Sequence, residues 1–241
     1  MSLEVKNLVK KFDNKYVLNN ISFEVKDGET LGVVGFSGSG KSTLLKIISG
    51  LLDYDKGEII YPKNSEISMA FQYSALFDFL NVFDNIAFPL NERKDLRGKY
   101  SKKEIETIVK QKLTMVGLEG IEEKFPSELS GGMQKRVGFA RAIVTNPNII
   151  LYDEPTAGLD PVTSTMIEDY IVQLKKELNA TCIVVTHQLS TIKRAVDKVI
   201  MLYQGDIVFK GSVQELLNGE NEYAKQFINA SITGPMNIAT K

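Results

Sequence analysis

Runs of apolar residues along the chain predict the positions of its strands. Apolar and polar residues alternate in LEVKNLV and YVLNNISFEV, as is typical of half-buried strands, before a turn signal at Asp27-Gly28. Continuous apolar runs predict fully buried strands in TLGVVGF (30–36), NIILYDE (148–154) and TCIVVTH (181–187). Shorter strands are predicted for GEIIY, EISMAF, DKVIMLY and DIVFK.

Helical periodicity fills most of the chain between these strands. An apolar stripe predicts a helix over 41–49, and the sequence is helical from about 103 to 145, with a second helix that begins near Ser130. Pro161 suits the first turn of a later helix, and SVQELLN and YAKQFIN predict two short ones. Buried strands that alternate with helices indicate an α/β fold with a mainly parallel sheet, into which residues 73–146 are inserted as a helical block.

Composition and charge exclude several classes of function. The 241 residues include 29 Lys and Arg against 30 Asp and Glu, which supports neither a broad basic surface for nucleic acid nor a disordered acidic chain. The single cysteine, Cys182, excludes an intramolecular disulfide, and the single histidine, His187, excludes a His-rich metal site. No apolar run approaches the ~18 residues needed to cross a bilayer, and the N-terminus lacks the pattern of a signal peptide. These features predict a soluble, cytosolic protein.

The segment Gly35–Ser42 has the sequence of a phosphate-binding loop. GFSGSGKS matches G-x-x-x-x-G-K-[ST] between an apolar strand and an apolar helix. Glycines allow several backbone N–H groups to point at a phosphate, and the following helix presents its positive end to the same anion. We therefore expect Lys41 near the β and γ phosphates of a nucleotide and Ser42 on Mg²⁺. The alternative is a glycine turn with a purely structural role.

Two further strand ends carry polar residues that suit phosphate chemistry. Asp153 lies where a second magnesium ligand is needed, and Glu154 is a candidate base for the attacking water. His187 ends an equally apolar strand and is a candidate donor to the γ phosphate. Ligands of α/β sheets bind beyond the carboxyl ends of the strands, which favours these roles. The alternatives are ordinary loop acidity for the Asp-Glu pair and a structural role for the histidine.

A second glycine motif, Ser130-Gly131-Gly132, precedes the predicted helix MQKRVGFARAIV. A serine and two glycines at a helix N-terminus can bind an anion, and they can equally form an N-cap in a turn. Since one phosphate loop already serves the phosphates of its own chain, an anion site here needs another explanation.

The chain resembles an ATP-binding-cassette ATPase in motifs that share the family's order and spacing: GFSGSGKS, Gln72, LSGGM, IILYDEP, AGLD and His187. The resemblance covers essentially the whole chain. It implies an α/β P-loop NTPase fold with a mainly parallel core sheet, an N-terminal antiparallel β subdomain and a helical insertion subdomain. The implied parts of the single domain, 1–241, are a core with the β subdomain (1–72 and 147–220), a helical signature subdomain (73–146) and a C-terminal tail (221–241).

The resemblance also implies how a nucleotide is bound. Two cassettes pair head to tail, and ATP with Mg²⁺ lies between the phosphate loop of one and Ser130, Gly131 and Gly132 of the other. The implied catalytic residues are Lys41, Gln72, Glu154 and His187, and the implied metal ligands are Ser42, Gln72 and Asp153. The implied nucleotide contacts in the phosphate loop are Gly35, Phe36, Ser37, Gly38, Ser39, Gly40, Lys41, Ser42 and Thr43.

Two more positions acquire a role through the resemblance. Asp160 of AGLD matches the family's D-loop, which crosses the dimer. Phe12 in VKKF matches the aromatic residue that stacks on adenine, and Tyr16 is a second candidate. Either ring has an alternative role in packing against its strand.

Met133, in place of the family's usual Gln, points to a narrower group. Together with SALFDFLNVFDNIAFPL and the tail QFINASITGP, it resembles the cassettes of Mla-type and Mce-associated phospholipid transporters. In those relatives the tail, which here includes Gln226-Phe227 and Gly234-Pro235, reaches the opposite cassette. The resemblance implies a homodimer, integral membrane permease subunits, a periplasmic Mce-type lipid-binding protein and no nucleic acid, on the cytoplasmic side of the inner membrane. The phenylalanines of the insertion then form a docking surface for the permease. The alternative is that they belong to the core of the insertion.

Two other classes stay open at this stage. A soluble cassette ATPase of nucleic-acid repair or translation usually carries long insertions or a second cassette, and this sequence has neither. A non-catalytic nucleotide switch is disfavoured by the intact Glu154 and His187, and a turnover assay would decide. A P-loop kinase of small molecules would have no use for LSGG or AGLD.

Overall fold

The computed structural model describes residues 2–237. The strands are β1 (Leu3–Phe12), β2 (Lys15–Val25), β3 (Thr30–Val34), β4 (Lys56–Ile60), β5 (Ile67–Ala70), β6 (Ile149–Asp153), β7 (Thr181–Val185), β8 (Lys198–Tyr203) and β9 (Asp206–Ser212). The helices are α1 (Lys41–Ile48), α2 (Val82–Glu92), α3 (Lys102–Met115), α4 (Gly131–Ala142), α5 (Pro161–Leu178), α6 (Leu189–Ala195), α7 (Val213–Asn218) and α8 (Glu222–Ile228), with a 3₁₀ turn at Pro126–Glu128.

The chain forms two compact units, one made of residues up to Ser65 and from Thr181 onward, the other of Glu66–Ala180. In the first unit, β2, β1 and β4 form an antiparallel sheet in that order, which confirms the alternating strands predicted near the N-terminus. In the same unit β3 lies between β7 and β8 and runs parallel to both. Every residue of β3 and β7 is buried, as their continuous apolar runs predict.

A tight turn joins β8 to β9, which pairs antiparallel with it. Gln204 (φ 50°) and Gly205 (φ 89°) both have left-handed backbone, as the turn of a two-residue hairpin requires. The strands predicted for DKVIMLY and DIVFK are thus confirmed.

The second unit pairs β5 with β6 in parallel and contains α2 to α5. The prediction of helical sequence from 103 to 145 is wrong for residues 116–130, which lie between α3 and α4. Gly117 (φ 64°) and Gly120 (φ 75°) are left-handed there, and Pro126 follows them in the 3₁₀ turn, so the helix cannot continue. Helix α2 falls inside the predicted insertion without having been predicted individually.

Helix α5 begins at Pro161, as predicted, and ends at Asn179, whose φ of 48° is the left-handed conformation of a helix C-terminus. The fold is α/β with parallel strands and an antiparallel N-terminal sheet, which confirms the predicted class. The predicted subdomain boundaries at 72/73, 146/147 and 220/221 stay a prediction. Within residues 2–237, every helix is too short or too polar to cross a membrane.

Candidate functional site

The phosphate loop connects the buried strand β3 to helix α1. Gly40 (φ 99°) is the N-cap of α1 and supplies no side-chain cap, and the helix begins at Lys41. The first N–H groups of a helix have no partner within the helix. Without a capping side chain, these groups and the positive end of α1 are oriented to receive an anion.

Crowding explains the glycines at both ends of this loop. Gly35 has a φ of 140°, and a Cβ built there would overlap the carbonyl oxygen of Leu202 and lie 2.9 Å from the Oγ of Ser39. At Gly40 a Cβ would lie 2.7 Å from the carbonyl oxygen of Val17 in β2. Only glycine fits these two positions without displacing backbone.

The polar groups of the loop fit a bound phosphate chain. The Lys41 ammonium donates to the carbonyls of Gly35 (2.9 Å) and Phe36 (2.8 Å), so its charge lies over the loop backbone. The Ser39 hydroxyl is buried and has no hydrogen-bond partner among the described residues. A buried hydroxyl of this kind needs a partner, and a phosphate oxygen would supply one.

His187 lies at the same edge of the first unit's sheet as the phosphate loop. Val33 of β3 is opposite Val185 of β7, and the Thr186 amide donates to the Val33 carbonyl at 3.3 Å. The register therefore places His187 level with Gly35, and its side chain is exposed. The contact of His187 with a γ phosphate stays a prediction.

The candidate adenine rings lie beside the turn between β1 and β2. Phe12 is 46% exposed and Tyr16 is 52% exposed. The Lys10 ammonium lies 5.1 Å from the Phe12 ring centroid, and the Lys11 ammonium lies 4.2 Å from that of Tyr16. Because both rings are about half exposed and each has an ammonium nearby, either one suits stacking on a base with attached phosphates.

The acidic strand end lies in the second unit together with Gln72. Asp153 is the last residue of β6 and is 6% exposed, whereas Glu154 is half-buried. Ala70 is opposite Tyr152 in the parallel pair, so Gln72 lies level with Glu154. The structure thus brings Gln72, Asp153 and Glu154 to one strand edge.

The donor set of the candidate magnesium ligands is chemically suitable. Within residues 2–237, no group of three or more His, Cys, Asp and Glu side chains is arranged to hold a metal. Mg²⁺ does not need such a group, because it is usually held by one or two carboxylates, by substrate phosphates and by water. The hydroxyl, amide and carboxylate oxygens of Ser42, Gln72 and Asp153 match this preference.

Ser130, Gly131 and Gly132, which we call the signature loop, line one cleft of about 300 Å³ in the second unit together with the D-loop at Asp160. Ser130 is the N-cap of α4 and its Oγ accepts from the Met133 amide at 3.3 Å. Nothing lies within 4 Å of a Cβ built on Gly131, whereas one built on Gly132 would lie 2.7 Å from the Thr163 methyl carbon. The N-terminus of α4 is therefore open on the side of Gly131 and closed on the side of α5.

Asp160 closes the other side of this cleft as the N-cap of α5. Its carboxylate accepts from the amides of Val162 and Thr163, both at 3.0 Å, and from the Thr163 hydroxyl at 2.6 Å. The hydrogen bond from the Thr163 hydroxyl is the main cause that lowers the pKa of Asp160. The structure thus gives Asp160 a local capping role in addition to any role across a dimer.

An aromatic cluster follows Gln72 in the second unit. Phe77 contacts Phe79 and Phe88, with ring centroids 5.7 and 4.7 Å apart. Phe79 is 76% exposed, and Tyr73 is 85% exposed. The insertion therefore keeps an exposed aromatic surface in addition to its core.

The predicted tail motif is one hydrogen-bonded structure in the first unit. Gln226 is 3% exposed, accepts from the Met236 amide at 2.8 Å and donates to the Met236 carbonyl at 2.9 Å. Gly234 (φ 155°) lies so close to Gln226 that a Cβ would overlap its side chain. Residues 238–241 of the predicted tail lie outside the described residues.

The sequence did not indicate the contacts of two basic residues of α4, the buried Lys135 and the partly buried Arg141. Lys135 donates to backbone carbonyls directly after β6, including that of Ala157 at 2.8 Å. Arg141 donates to the carbonyls of Ser74 and Ala75, at 2.6 and 2.8 Å. No sequence signal separates these two from Arg136, the third basic residue of MQKRVGFARA, because which of them faces inward depends on the helix's neighbours.

The comparisons with known proteins agree with this geometry. A family model described as ABC transporter matches residues 18–157. The chain is 43% identical to the protein TRIGALACTOSYLDIACYLGLYCEROL 3, chloroplastic, of Arabidopsis thaliana, over 97% of this chain and 75% of that protein. It is 36% identical to the intermembrane phospholipid transport system ATP-binding protein MlaF of Escherichia coli K12, over 98% of this chain and 94% of MlaF.

Other relatives carry the names of other transport classes. The methionine import ATP-binding protein MetN of Campylobacter jejuni is 36% identical over 95% of this chain and 76% of MetN. Among solved structures, the chain is similar to the ATP-binding cassette MJ0796 in a dimeric post-hydrolysis state bound to ADP and Pi. That match has a TM-score of 0.78 and 33% identity, and it covers 88% of this chain and 99% of the other.

Proposed function

This chain belongs to the ABC transporter ATPases, which hydrolyse ATP to drive transport, and we propose that its transport system moves phospholipid between the inner and outer membranes. The observation that carries this proposal is the match to MlaF, which extends over nearly the full length of both chains. The match to a plant protein named after a galactolipid supports a lipid as the cargo.

We propose that the chain acts as a homodimer on the cytoplasmic side of the inner membrane, bound to integral membrane permease subunits. The proposed docking surface for the permease is formed by the exposed rings of Tyr73 and Phe79, with the partly buried Phe77 against Phe79, because an exposed apolar patch is costly unless a partner covers it. The proposed further partner is a periplasmic Mce-type lipid-binding protein, which the resemblance to Mla-type systems suggests.

The phosphate loop is the proposed binding site for the ATP phosphates. Its backbone N–H groups and the positive end of α1 receive the α and β phosphates, and Lys41 donates to the β and γ phosphates. Phe12 stacks on adenine, with Tyr16 as the second candidate. His187 donates a hydrogen bond to the γ phosphate.

Hydrolysis depends on the second unit in this proposal. Glu154 orients the attacking water and accepts its proton. Ser42, Gln72 and Asp153 would hold Mg²⁺, which when bound neutralises charge on the phosphate oxygens. Little covalent chemistry is required, because phosphoryl transfer is accelerated mainly by positioning and by charge stabilisation.

The signature loop completes the site of a partner cassette. Gly131 has open space beside it, and the exposed apolar side chains of Val162 (72%) and Met166 (43%) lie on the nearby helix α5. We propose that this surface meets the phosphate loop of the partner and that Ser130 donates to the partner's γ phosphate. ATP then favours the closed dimer because it binds that state more tightly than the open one.

The catalytic part of the proposal is tested by Glu154→Gln, with the exposed acid Glu106 of α3 changed to Gln as a control. We expect Glu154→Gln to keep ATP binding, lose turnover by about 100-fold or more and accumulate as a dimer with ATP. Glu106→Gln should hydrolyse ATP at the wild-type rate. A Glu154→Gln chain that hydrolyses ATP normally would exclude Glu154 as the base.

The cargo is tested by purification from detergent-solubilised membranes. We expect a tagged chain to bring down a permease with several membrane spans and a periplasmic lipid-binding protein, with phospholipid in the complex. Recovery with amino-acid import components instead, as the similarity to MetN would suggest, contradicts the phospholipid proposal and leaves the ATPase assignment intact.

A further inference from the structure

A buried lysine of α4 is bonded to the segment that carries the candidate base. Lys135 is 8% exposed. Its ammonium donates to the carbonyls of Ala157 (2.8 Å) and Pro155 (3.0 Å), with a longer contact to that of Glu154 (3.4 Å). A lysine ammonium has three donors and no acceptor, so backbone carbonyls of one short segment use all three.

The segment 154–159 begins with an unfavourable backbone conformation at Glu154. Glu154 has a φ of 46°, in the left-handed region that a residue with a Cβ adopts only when its surroundings enforce it. Two overlapping turns follow, in which the Ala157 amide donates to the Glu154 carbonyl at 3.2 Å and the Leu159 amide donates to the Thr156 carbonyl at 3.3 Å. These turns leave several carbonyl oxygens directed towards Lys135.

Burying the charged ammonium of Lys135 is unfavourable, and its hydrogen bonds to backbone carbonyls offset this. Burial lowers the pKa of the Lys135 ammonium, and the negative charge of Glu154 opposes that change. A buried cation is unfavourable unless its donors are satisfied. Since its hydrogen bonds are to backbone, the ammonium stabilises the conformation of the segment rather than a particular side chain.

We propose that Lys135 is a positioning residue that holds the segment 154–157 in the conformation that hydrolysis requires. It contacts no reacting atom in this proposal and acts through the backbone that carries Glu154 and leads into Asp160. The inference rests on the proposed role of Glu154. Because the same helix α4 is capped by Ser130, Lys135 also connects the acid of one ATP site to the serine that serves the partner's site.

The test compares two buried lysines of the second unit. Lys112 of α3 is 6% exposed and its ammonium donates to the Asn146 side chain at 2.6 Å, which has no part in the proposed site. Lys135→Met and Lys112→Met each remove one buried ammonium and keep an apolar side chain of similar length. The kcat and KM for ATP and the thermal stability are measured on the full chain, purified with its membrane subunits.

We expect Lys135→Met to lower kcat by about 10- to 100-fold with KM for ATP within about twofold, because a small displacement of catalytic groups lowers the rate without removing binding contacts. Lys112→Met should lower the melting temperature and leave kcat within about twofold. Lys135→Arg should recover most of the lost rate, because a guanidinium also donates to several carbonyls.

Some outcomes would overturn the proposal. Equal losses of kcat in Lys135→Met and Lys112→Met would indicate a general stability effect. If Lys135→Met does not fold, Lys135→Ala also removes all three N–H donors, and a wild-type kcat in that variant would contradict the proposal.

Failure of the inference can be told from failure of the proposed function. If Glu154→Gln is inactive and Lys135→Met has normal turnover, only the positioning role of Lys135 is excluded. Normal turnover in Glu154→Gln removes the assignment of Glu154 itself, and with it the basis of this inference.

Discussion

The phosphate loop and the signature loop both contain glycines and both precede a helix. They differ in how closely the surrounding backbone packs against those glycines. In the phosphate loop Gly35 and Gly40 are pressed against the carbonyls of Leu202 and Val17. In the signature loop the side of Gly131 is open and Ser130 caps its own helix. The first loop can surround a phosphate chain, whereas the second can only cover one face of it.

We propose that this difference explains why one chain has two candidate anion-binding motifs. A closed loop with a lysine is sufficient to bind a triphosphate. An open serine-glycine loop adds stabilisation only when another surface brings a phosphate to it. We therefore infer a nucleotide site shared by two copies of the chain. In this site the phosphate loop determines the affinity for ATP and the signature loop determines the turnover rate.

The largest effect is expected from Gly35→Ala. The added Cβ meets the Leu202 carbonyl, so the variant should lose about 2–4 kcal/mol of stability and bind ATP at least about 100-fold more weakly. The measurements are thermal unfolding and titration with a fluorescent ATP analogue. Gly38→Ala is the matched control for stability alone, because Gly38 is left-handed (φ 78°) but has open space, and it should lose only about 1–2 kcal/mol. Equal losses of stability at the two positions would mean that crowding does not define the closed loop.

Ser130→Ala should have an intermediate effect, confined to turnover. We expect about a 10- to 100-fold lower kcat with unchanged ATP affinity of the separate chains, since one donor to a developing charge is lost. Ser101 is a suitable control because it caps α3 in the same way, accepting from the Glu104 amide at 3.3 Å. Ser101→Ala should cost about 1 kcal/mol of stability and leave turnover unchanged. A Ser130→Ala chain that behaves like Ser101→Ala would reduce the signature serine to an N-cap.

The smallest effect is expected at Gly132. Its Cβ would lie 2.7 Å from the Thr163 methyl carbon, so Gly132→Ala should lower stability by about 1–2 kcal/mol. Thr163→Ser removes that methyl and keeps the hydroxyl bond to Asp160, so the double variant should regain most of the loss. Unfolding in urea measures both. Additive losses in the double variant would show that the contact with α5 does not close this side of the loop.

The sequence predicted most of the buried strands and the positions of the motifs. Continuous apolar runs specify β3, β6 and β7 because both faces of these strands are buried, and the phosphate loop is recognisable because only glycine fits its crowded ends. The level positions of His187 with Gly35 and of Gln72 with Glu154 follow from parallel pairing.

Features that depend on tertiary contacts could not be predicted. Ser74 (φ 59°) and Ala75 (φ 48°) are left-handed although neither residue favours that conformation, and the carbonyls of both accept from Arg141. The burial of Lys135 has the same origin, since helical periodicity does not distinguish an inward lysine from a solvated one. Helix α2 contains Pro89 near its end, which obscured its boundary.

In the proposed dimer, the phosphate loop of one copy faces the signature loop of the other copy across ATP. Ser37→Cys and Gly131→Cys on one chain, with Glu154→Gln to retain ATP, place a thiol on each surface, and the native Cys182 is buried. We predict a disulfide-linked species of twice the chain mass that forms with ATP, is absent without it and is absent from either single-cysteine chain. A cross-link only within one chain, or none under any nucleotide condition, would contradict the account.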